Sequence, residues 1–307
     1  MRWVYIGTGL FATSVLEKLY LSGLRPGLVV VPPDKRRGRG LKRRPVPVKE
    51  FAIEANIDYV ECENLEEENC KKRLIDFNPD FLVVCDYGKI LKREILAIPR
   101  IAPLNIHPSL LPKYRGAAPI ERSILNGEKE TGISIIIMNE RIDAGELLLQ
   151  EKVPIGEDET KGDLIVKLSV LVPELLKQAM EGLLKAEIRP RPQTGASSYA
   201  KKIKKEELFI DWNEDAVKVK NKINAFSPIP GARSKLNNEI IKILRARLSN
   251  KALSLSPGEI YVEHHTRLFV GTGKGVAEIL EIQPPGKKIM LAKEFIQGRK
   301  LDGLSFS

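Results

Sequence analysis

The run Trp3-Val4-Tyr5-Ile6-Gly7-Thr8-Gly9, leading into Leu10–Leu21, constrains the fold more than any other stretch. A short apolar strand passes through a glycine turn into an amphipathic helix, and a second apolar strand, Gly27–Val31, follows. Strands without polar alternation need cover on both faces, which a parallel sheet flanked by helices supplies. The alternation continues. Val48–Ala55 reads as a helix, Tyr59–Val60 as a short strand, Leu65–Phe77 as a charged helix, and Phe81–Cys85 and Pro103–His107 as strands. Ile133–Met138 and Leu147–Val153 form an expected β-pair. Thr160, with Asp163 three residues on, caps a long helix to about Leu184 that contains Pro173. Strands alternating with helices predict an α/β domain, doubly wound and Rossmann-like, over residues 1–188.

The texture changes at Arg189-Pro190-Arg191-Pro192, and residues 189–204 read as a linker. Beyond it, one short helix near Asp215–Ala225 precedes β-like runs split by turn signals such as Ser256-Pro257-Gly258 and Pro284-Pro285-Gly286. That spacing predicts a small C-terminal β-barrel over residues 205–307. A chain of 307 residues is long enough for two cores.

The net charge of +10 is concentrated. Residues 35–44, KRRGRGLKRR, carry seven bases and no acid, and Lys201-Lys202-Ile203-Lys204-Lys205 adds four more. Such runs repel themselves and favour an anionic partner, nucleic acid above all. The apolar runs are too short to span a bilayer, and the chain begins directly in a strand, so neither membrane association nor a signal peptide is expected. Cys62, Cys70 and Cys85 form no metal or redox spacing, and histidine occurs at three positions. No metal site is expected, and a reducing, cytoplasmic setting fits.

Gly7-Thr8-Gly9-Leu10-Phe11-Ala12 has the G-x-G-x-x-A spacing of a dinucleotide turn, a weak signal when it stands alone. No candidate hydride-transfer site follows it. A sharper signal is Leu104-Asn105-Ile106-His107-Pro108-Ser109-Leu110-Leu111-Pro112-Lys113-Tyr114-Arg115-Gly116. Asn105 and His107 alternate along a strand and therefore share a face. They stand at the end of a parallel strand, where α/β sheets place their ligand crevice. Two hydrogen-bonding side chains there are poorly explained as core, because burying each unpaired costs roughly 1–3 kcal/mol. Ser109 as a nucleophile is the rival reading, but it lacks the G-x-S-x-G turn.

This stretch closely resembles the N-x-H-x-S-L-L-P-x-x-R-G signature of the folate-dependent formyltransferases. The similarity continues through Gly116–Ile120, Thr131–Ser134 and the loop Met138-Asn139-Glu140-Arg141-Ile142-Asp143-Ala144-Gly145. Pro33-Asp34, Gly38-Arg39-Gly40, Pro47-Val48-Lys49, Ala225–Ala232 and Gln283–Lys288 extend it along nearly the whole chain, in the pattern of the family's methionyl-tRNA branch. At the first glycine turn the family usually has Gly-Thr-Pro-acid-Phe-Ala; Gly9-Leu10 stands in place of Pro-acid here.

The resemblance implies an OB-like barrel as the second domain. It also implies transfer of formyl from 10-formyltetrahydrofolate to the amine of methionyl initiator tRNA, by a monomeric enzyme without a metal. By position the catalytic group falls on Asn105, His107 and Asp143, and the folate-side segment on Ser109, Leu110, Leu111 and Pro112. The tRNA contacts fall on Arg36, Arg37, Arg39, Lys42 and Arg43, with Lys201, Lys202, Lys204 and Lys205 at the start of the second domain. Asp86 and Lys89 replace residues that are usually apolar in the family's other pterin-side loop. The alternatives are a formyltransferase acting on a nucleotide-linked amino sugar, a nicotinamide-dependent oxidoreductase, and an RNA-binding protein without catalysis.

Overall fold

A computed structural model describes residues 1–37, 42–297, 299–301 and 303–307. It divides into two compact units. The first comprises Met1–Pro119, Glu130–Val153 and Ile165–Ala200, the second Ile120–Lys129, Pro154–Leu164 and Lys201–Ser307. The segment read as a linker thus contributes its residues up to Ala200 to the first unit.

The first unit begins with β1 (Trp3–Gly7), α1 (Leu10–Leu21) and β2 (Leu28–Val31). Next come β3 (Lys35–Arg37), β4 (Lys42–Arg44), α2 (Pro47–Glu54), β5 (Tyr59–Glu61), α3 (Glu68–Phe77) and β6 (Phe81–Cys85). They are followed by α4 (Arg93–Leu96), β7 (Ala102–His107), β8 (Arg115–Gly116), β9 (Glu130–Ile137), β10 (Glu146–Pro154) and the part of α6 (Lys161–Leu184) from Ile165 on, while α5 (Pro119–Leu125), from Ile120, and the first turn of α6 are counted in the second unit. The main sheet runs β10-β9-β7-β6-β1-β2-β5. The five strands from β7 to β5 are parallel, and β9 is antiparallel to β7. Chain order reverses between β1 and β6, which is the doubly wound arrangement expected from the strand–helix alternation. Every residue of β1, β2 and β6 is buried, as their unbroken apolar composition requires. Helix α1 turns Phe11, Ala12, Val15, Leu16 and Leu19 inward as one stripe.

Register levels the ends of these strands. Gly7 lies opposite Cys85, and Cys85 opposite Ile106. The turns after β1, β6 and β7 therefore open on one edge of the sheet.

Two readings change. The basic run gives no strand signal in the sequence, but within it β3 and β4 pair antiparallel, with Lys35 opposite Arg44 and Arg37 opposite Lys42. The ladder pairs backbone groups that a loop would leave to water. Cys62 and Cys70 showed no redox spacing, yet they form a disulfide. Cys62 directly follows β5 and Cys70 sits in the first turn of α3, so the bond is set by strand-to-helix packing that spacing does not reveal. Cys85 remains a free, buried thiol.

The second unit carries α7 (Ala216–Ala225) and an antiparallel sheet ordered β12-β13-β16-β15-β14. These strands are β12 (Ala232–Leu236), β13 (Glu239–Leu248), β14 (Ile260–Glu263), β15 (Arg267–Gly271) and β16 (Val276–Gln283), with β17 (Met290–Leu291) added to β16 and α8 (Ala292–Ile296) behind it. Register shifts between Ile243 and Ala246 distort β13. There Asn224 of α7 exchanges two 3.1 Å hydrogen bonds with the Ala246 backbone, so a buried amide ties the helix to the irregular strand.

Candidate active site

The strand alternation of β7 places Asn105 and His107 on one face, and both are buried. Opposite them on β9 lie Ile136 and Ser134. Asp143 comes from the loop between β9 and β10, in the left-handed region with φ +46°, which aspartate tolerates better than most residues. Its carboxylate is shared. Asn105 Nδ2 donates to Oδ1 at 2.9 Å, and the Gly116 amide donates to Oδ2 at 2.8 Å. His107 Nδ1 lies 3.5 Å from Oδ2. His107 Nε2 is 2.9 Å from the Tyr114 carbonyl, which can only accept, so Nε2 carries a hydrogen. The three residues picked out in the sequence therefore meet in one cluster, with Asn105 hydrogen-bonded to Asp143 and the His107 ring 3.5 Å from the same carboxylate.

Gly116 makes that cluster possible. Its φ of +117° is open to glycine, and a Cβ there would come 2.8 Å from the Ala200 carbonyl. Residues 115–116 pair in parallel with β11 (Tyr199–Ala200), and Tyr114 N donates to Ser198 Oγ at 2.9 Å. Gln193 was missed in the sequence. Its Nε2 donates to the carbonyls of both Asp143 and Gly145 at 2.8 Å, and its Oε1 accepts from Arg115. Gln193 thus clamps the Asp143 loop and residues 198–200 hold the Tyr114–Gly116 segment that meets it, from a stretch whose Pro, Gly and Ser content suggested only a connection.

The segment after His107 is built as tightly. Ser109 is buried, and its hydroxyl donates to the Lys113 carbonyl at 2.6 Å. A hydroxyl whose proton goes to a carbonyl rather than a base is not an activated nucleophile, so that rival reading loses its support. Ser134 Oγ donates to the Ser109 carbonyl at 2.6 Å and accepts from Leu111 N at 3.1 Å and Gln150 Nε2 at 2.9 Å. Gln150 also donates to the Leu111 carbonyl at 2.8 Å. Neither Ser134 nor Gln150 was singled out in the sequence, because a lone Ser or Gln on a strand carries no motif. The chain's own partners take up the polar groups of Ser109 and Leu111. Leu110 and Pro112, both half-buried, remain as apolar surface beside His107.

At the first glycine turn, Thr8 Oγ1 donates to the Asp86 carbonyl at 2.8 Å, and a Cβ on Gly9 would fall 1.8 Å from Asp86 Oδ2. The aspartate carboxylate occupies the space above the second glycine. A dinucleotide pyrophosphate needs that space, and like charge opposes it there. The NAD-like spacing is therefore not an NAD site. Burial pushes the Cys85 thiol well up, which makes it an unreactive core residue.

Among the basic residues, Lys201, Lys202, Lys204 and Lys205 are exposed. Arg36 and Arg37 lie in β3, and Lys42 and Arg43 in β4. Arg39 lies outside the described residues. Among the described residues, no group of three or more His, Cys, Asp or Glu could hold a metal, and no helix is long and apolar enough to cross a membrane.

Known proteins resemble this chain along nearly its whole length. Residues 1–180 match the formyl transferase family, and residues 202–300 match the formyl transferase C-terminal domain. A methionyl-tRNA formyltransferase of Thermodesulfovibrio yellowstonii is 41% identical over 97% of this chain and 96% of its own length. That of Methylococcus capsulatus is 39% identical over 99% and 98%. Among solved structures, HypX from Aquifex aeolicus in complex with tetrahydrofolic acid superposes with a TM-score of 0.69 at 20% identity, over 98% of this chain and 48% of that one. An N-formyltransferase from Helicobacter canadensis, complexed with folinic acid and dTDP-3-aminofucose, gives 0.64 at 19% identity over 92% and 99%. At such identities the structures establish the fold, whereas the full-length sequence matches establish kinship: the chain belongs to the formyl transferase family, alongside the methionyl-tRNA formyltransferases.

Proposed function

We propose that this enzyme transfers the formyl group of 10-formyltetrahydrofolate to the α-amine of methionyl initiator tRNA, acting as a cytoplasmic monomer. The observation that carries the reading is the meeting of Asn105, His107 and Asp143 at the C-terminal end of β7. The amine attacks the formyl carbon, a new C–N bond forms, and negative charge develops on the formyl oxygen. The second N–H of the Asn105 amide is suited to receive that charge, as is the His107 Nε2–H once it leaves the Tyr114 carbonyl for the substrate, and one preorganised donor of this kind is worth roughly a hundred- to a thousandfold in rate. Asp143 orients both side chains and accepts, directly or through water, the proton that the attacking amine must lose. The C–N bond to the folate then breaks, and the folate nitrogen takes up a proton as it leaves.

Ser109–Pro112 forms the folate side of the site. Its polar groups are spent internally, so the half-buried Leu110 and Pro112 supply apolar contact to the pterin. Arg36, Arg37, Arg39, Lys42 and Arg43, with Lys201, Lys202, Lys204 and Lys205, meet the tRNA phosphates. A nucleotide-linked amino sugar has too few phosphates to need so many cations.

Single-turnover assays with labelled formyltetrahydrofolate test the reading. Label is expected on methionyl-tRNA and not on a dTDP-amino sugar, with tRNA binding weakening steeply as salt rises. Label on the sugar alone overturns the choice of acceptor. Formylation that is indifferent to salt overturns the role of the basic residues.

A further inference from the structure

The basic hairpin leaves the sheet after β2 and returns at α2. Two residues flank it: Asp34, immediately before β3, and Lys49, in the first turn of α2. Lys49 Nζ is 2.6 Å from Asp34 Oδ1 and 2.6 Å from Glu61 Oε1. The Lys49 side chain is 8% exposed, against 32% for Asp34 and 39% for Glu61. Glu61 ends β5, the edge strand of the main sheet, and the Tyr59 ring lies 5.7 Å from the same ammonium. A buried lysine is normally costly unless it is paired and hydrogen-bonded, and here it has two carboxylates. Burial lowers its pKa, but the hydrogen bonds to Asp34 and Glu61 outweigh that, and the net direction is up. The two carboxylates thus favour the charged ammonium.

We propose that Lys49, Asp34 and Glu61 form a clamp that fixes the stem of the β3–β4 hairpin against the sheet edge and so positions its cations for the tRNA acceptor end. The inference rests on the reading that this hairpin meets the tRNA. Without the clamp, the chain entering β3 has one fewer tie to α2, and the hairpin searches a wider range of orientations before it binds. The clamp also engages the two carboxylates at the foot of a run of seven bases. Left unpaired, those carboxylates would compete with phosphate for the hairpin's own cations. Lys49 and Asp34 are positioning residues, since neither touches the reacting atoms.

The test is steady-state formylation by the full chain, with methionyl-tRNA and formyl donor varied separately. Asp34→Asn keeps the Lys49–Glu61 pair, so the fold retains one tie. It is expected to raise KM for tRNA about tenfold, with kcat and KM for the formyl donor held within about twofold. Asp34→Glu is expected to recover most of the loss. Amide hydrogen exchange of the 35–37 and 42–44 ladder is expected to quicken in Asp34→Asn and to stay slow in Asp34→Glu. Lys42→Ala/Arg43→Ala serves as the control for the underlying reading. If that pair raises KM for tRNA and Asp34→Asn does not, the clamp is wrong and the hairpin's role stands. If neither moves KM, the hairpin does not meet the tRNA and the clamp proposal falls with it. A loss in kcat alone for Asp34→Asn also overturns the proposal.

Discussion

Asn105 Nδ2 and Asp143 Oδ1 are 2.9 Å apart, and Asp143's second oxygen takes the Gly116 amide at 2.8 Å. Both carboxylate oxygens thus face donors. This makes the isosteric change Asp143→Asn disruptive: its amide oxygen can keep the Gly116 N–H, but its NH2 then faces Asn105, whose own amide must flip and present oxygen where its N–H groups stood. We expect Asp143→Asn to lower kcat by roughly a hundred- to a thousandfold, with KM for both substrates little changed. Stopped single turnovers measure this directly. A variant that keeps more than about a tenth of wild-type kcat would show that the carboxylate does not organise the site.

Ser134 offers a separate handle, because its hydroxyl serves two partners in the folate-side segment and Gln150 of β10, and is fully buried. Ser134→Ala leaves the Leu111 N–H without its acceptor and the Ser109 carbonyl without its donor. Leaving such groups unpaired costs roughly 1–3 kcal/mol. The expected outcome is a clear loss of thermal stability together with a several-fold rise in KM for the formyl donor, while KM for tRNA holds. Equal changes in both KM values would argue that Ser109–Pro112 is not the folate side of the site.

The parts of this site legible in the sequence are those carried by local rules. Alternation along β7 puts Asn105 and His107 on one face, and unbroken apolar runs mark β1 and β6 as strands covered on both sides. Asp143 was legible through resemblance alone, because nothing local tells a turn aspartate from one that reaches back to a strand. Gln193, Ser198 and Ala200 were not legible. Their contacts are hydrogen bonds made across large sequence separations, often to backbone, and nothing in a Pro/Gly/Ser-rich stretch marks the residues that will make them. The Asp86 carboxylate over Gly9 is similar: the glycine spacing suggested a nucleotide, and only the register of β1 against β6 reveals what fills the space. The Cys62–Cys70 bond escaped for the same reason.

The second unit carries its own pH signature. Glu278 on β16 is buried and gripped by two guanidinium groups. Arg267 Nε and Nη2 lie at 2.9 and 2.8 Å, and Arg247 Nε and Nη2 at 2.9 and 3.1 Å. Hydrogen bonds from Arg267, then those from Arg247, overcome burial and hold its pKa down to about 2. A carboxylate depressed in the fold stabilises it fully above its unfolded value, about 4.3 for a glutamate. That contribution is lost as pH falls through about 2. The pair of forks should therefore contribute on the order of 3 kcal/mol near neutrality and progressively less between those two values. Glu278→Gln removes the titrating group and leaves two arginines facing a neutral amide. We expect the variant to be less stable at pH 7 and to lose less further stability on acidification from about pH 4.5 to pH 2. Hydrogen exchange of the β13, β15 and β16 amides, followed across that range, reads the effect in the unit that carries it. Parallel acid profiles for wild type and Glu278→Gln would mean that the charge on Glu278 is not what holds these three strands together.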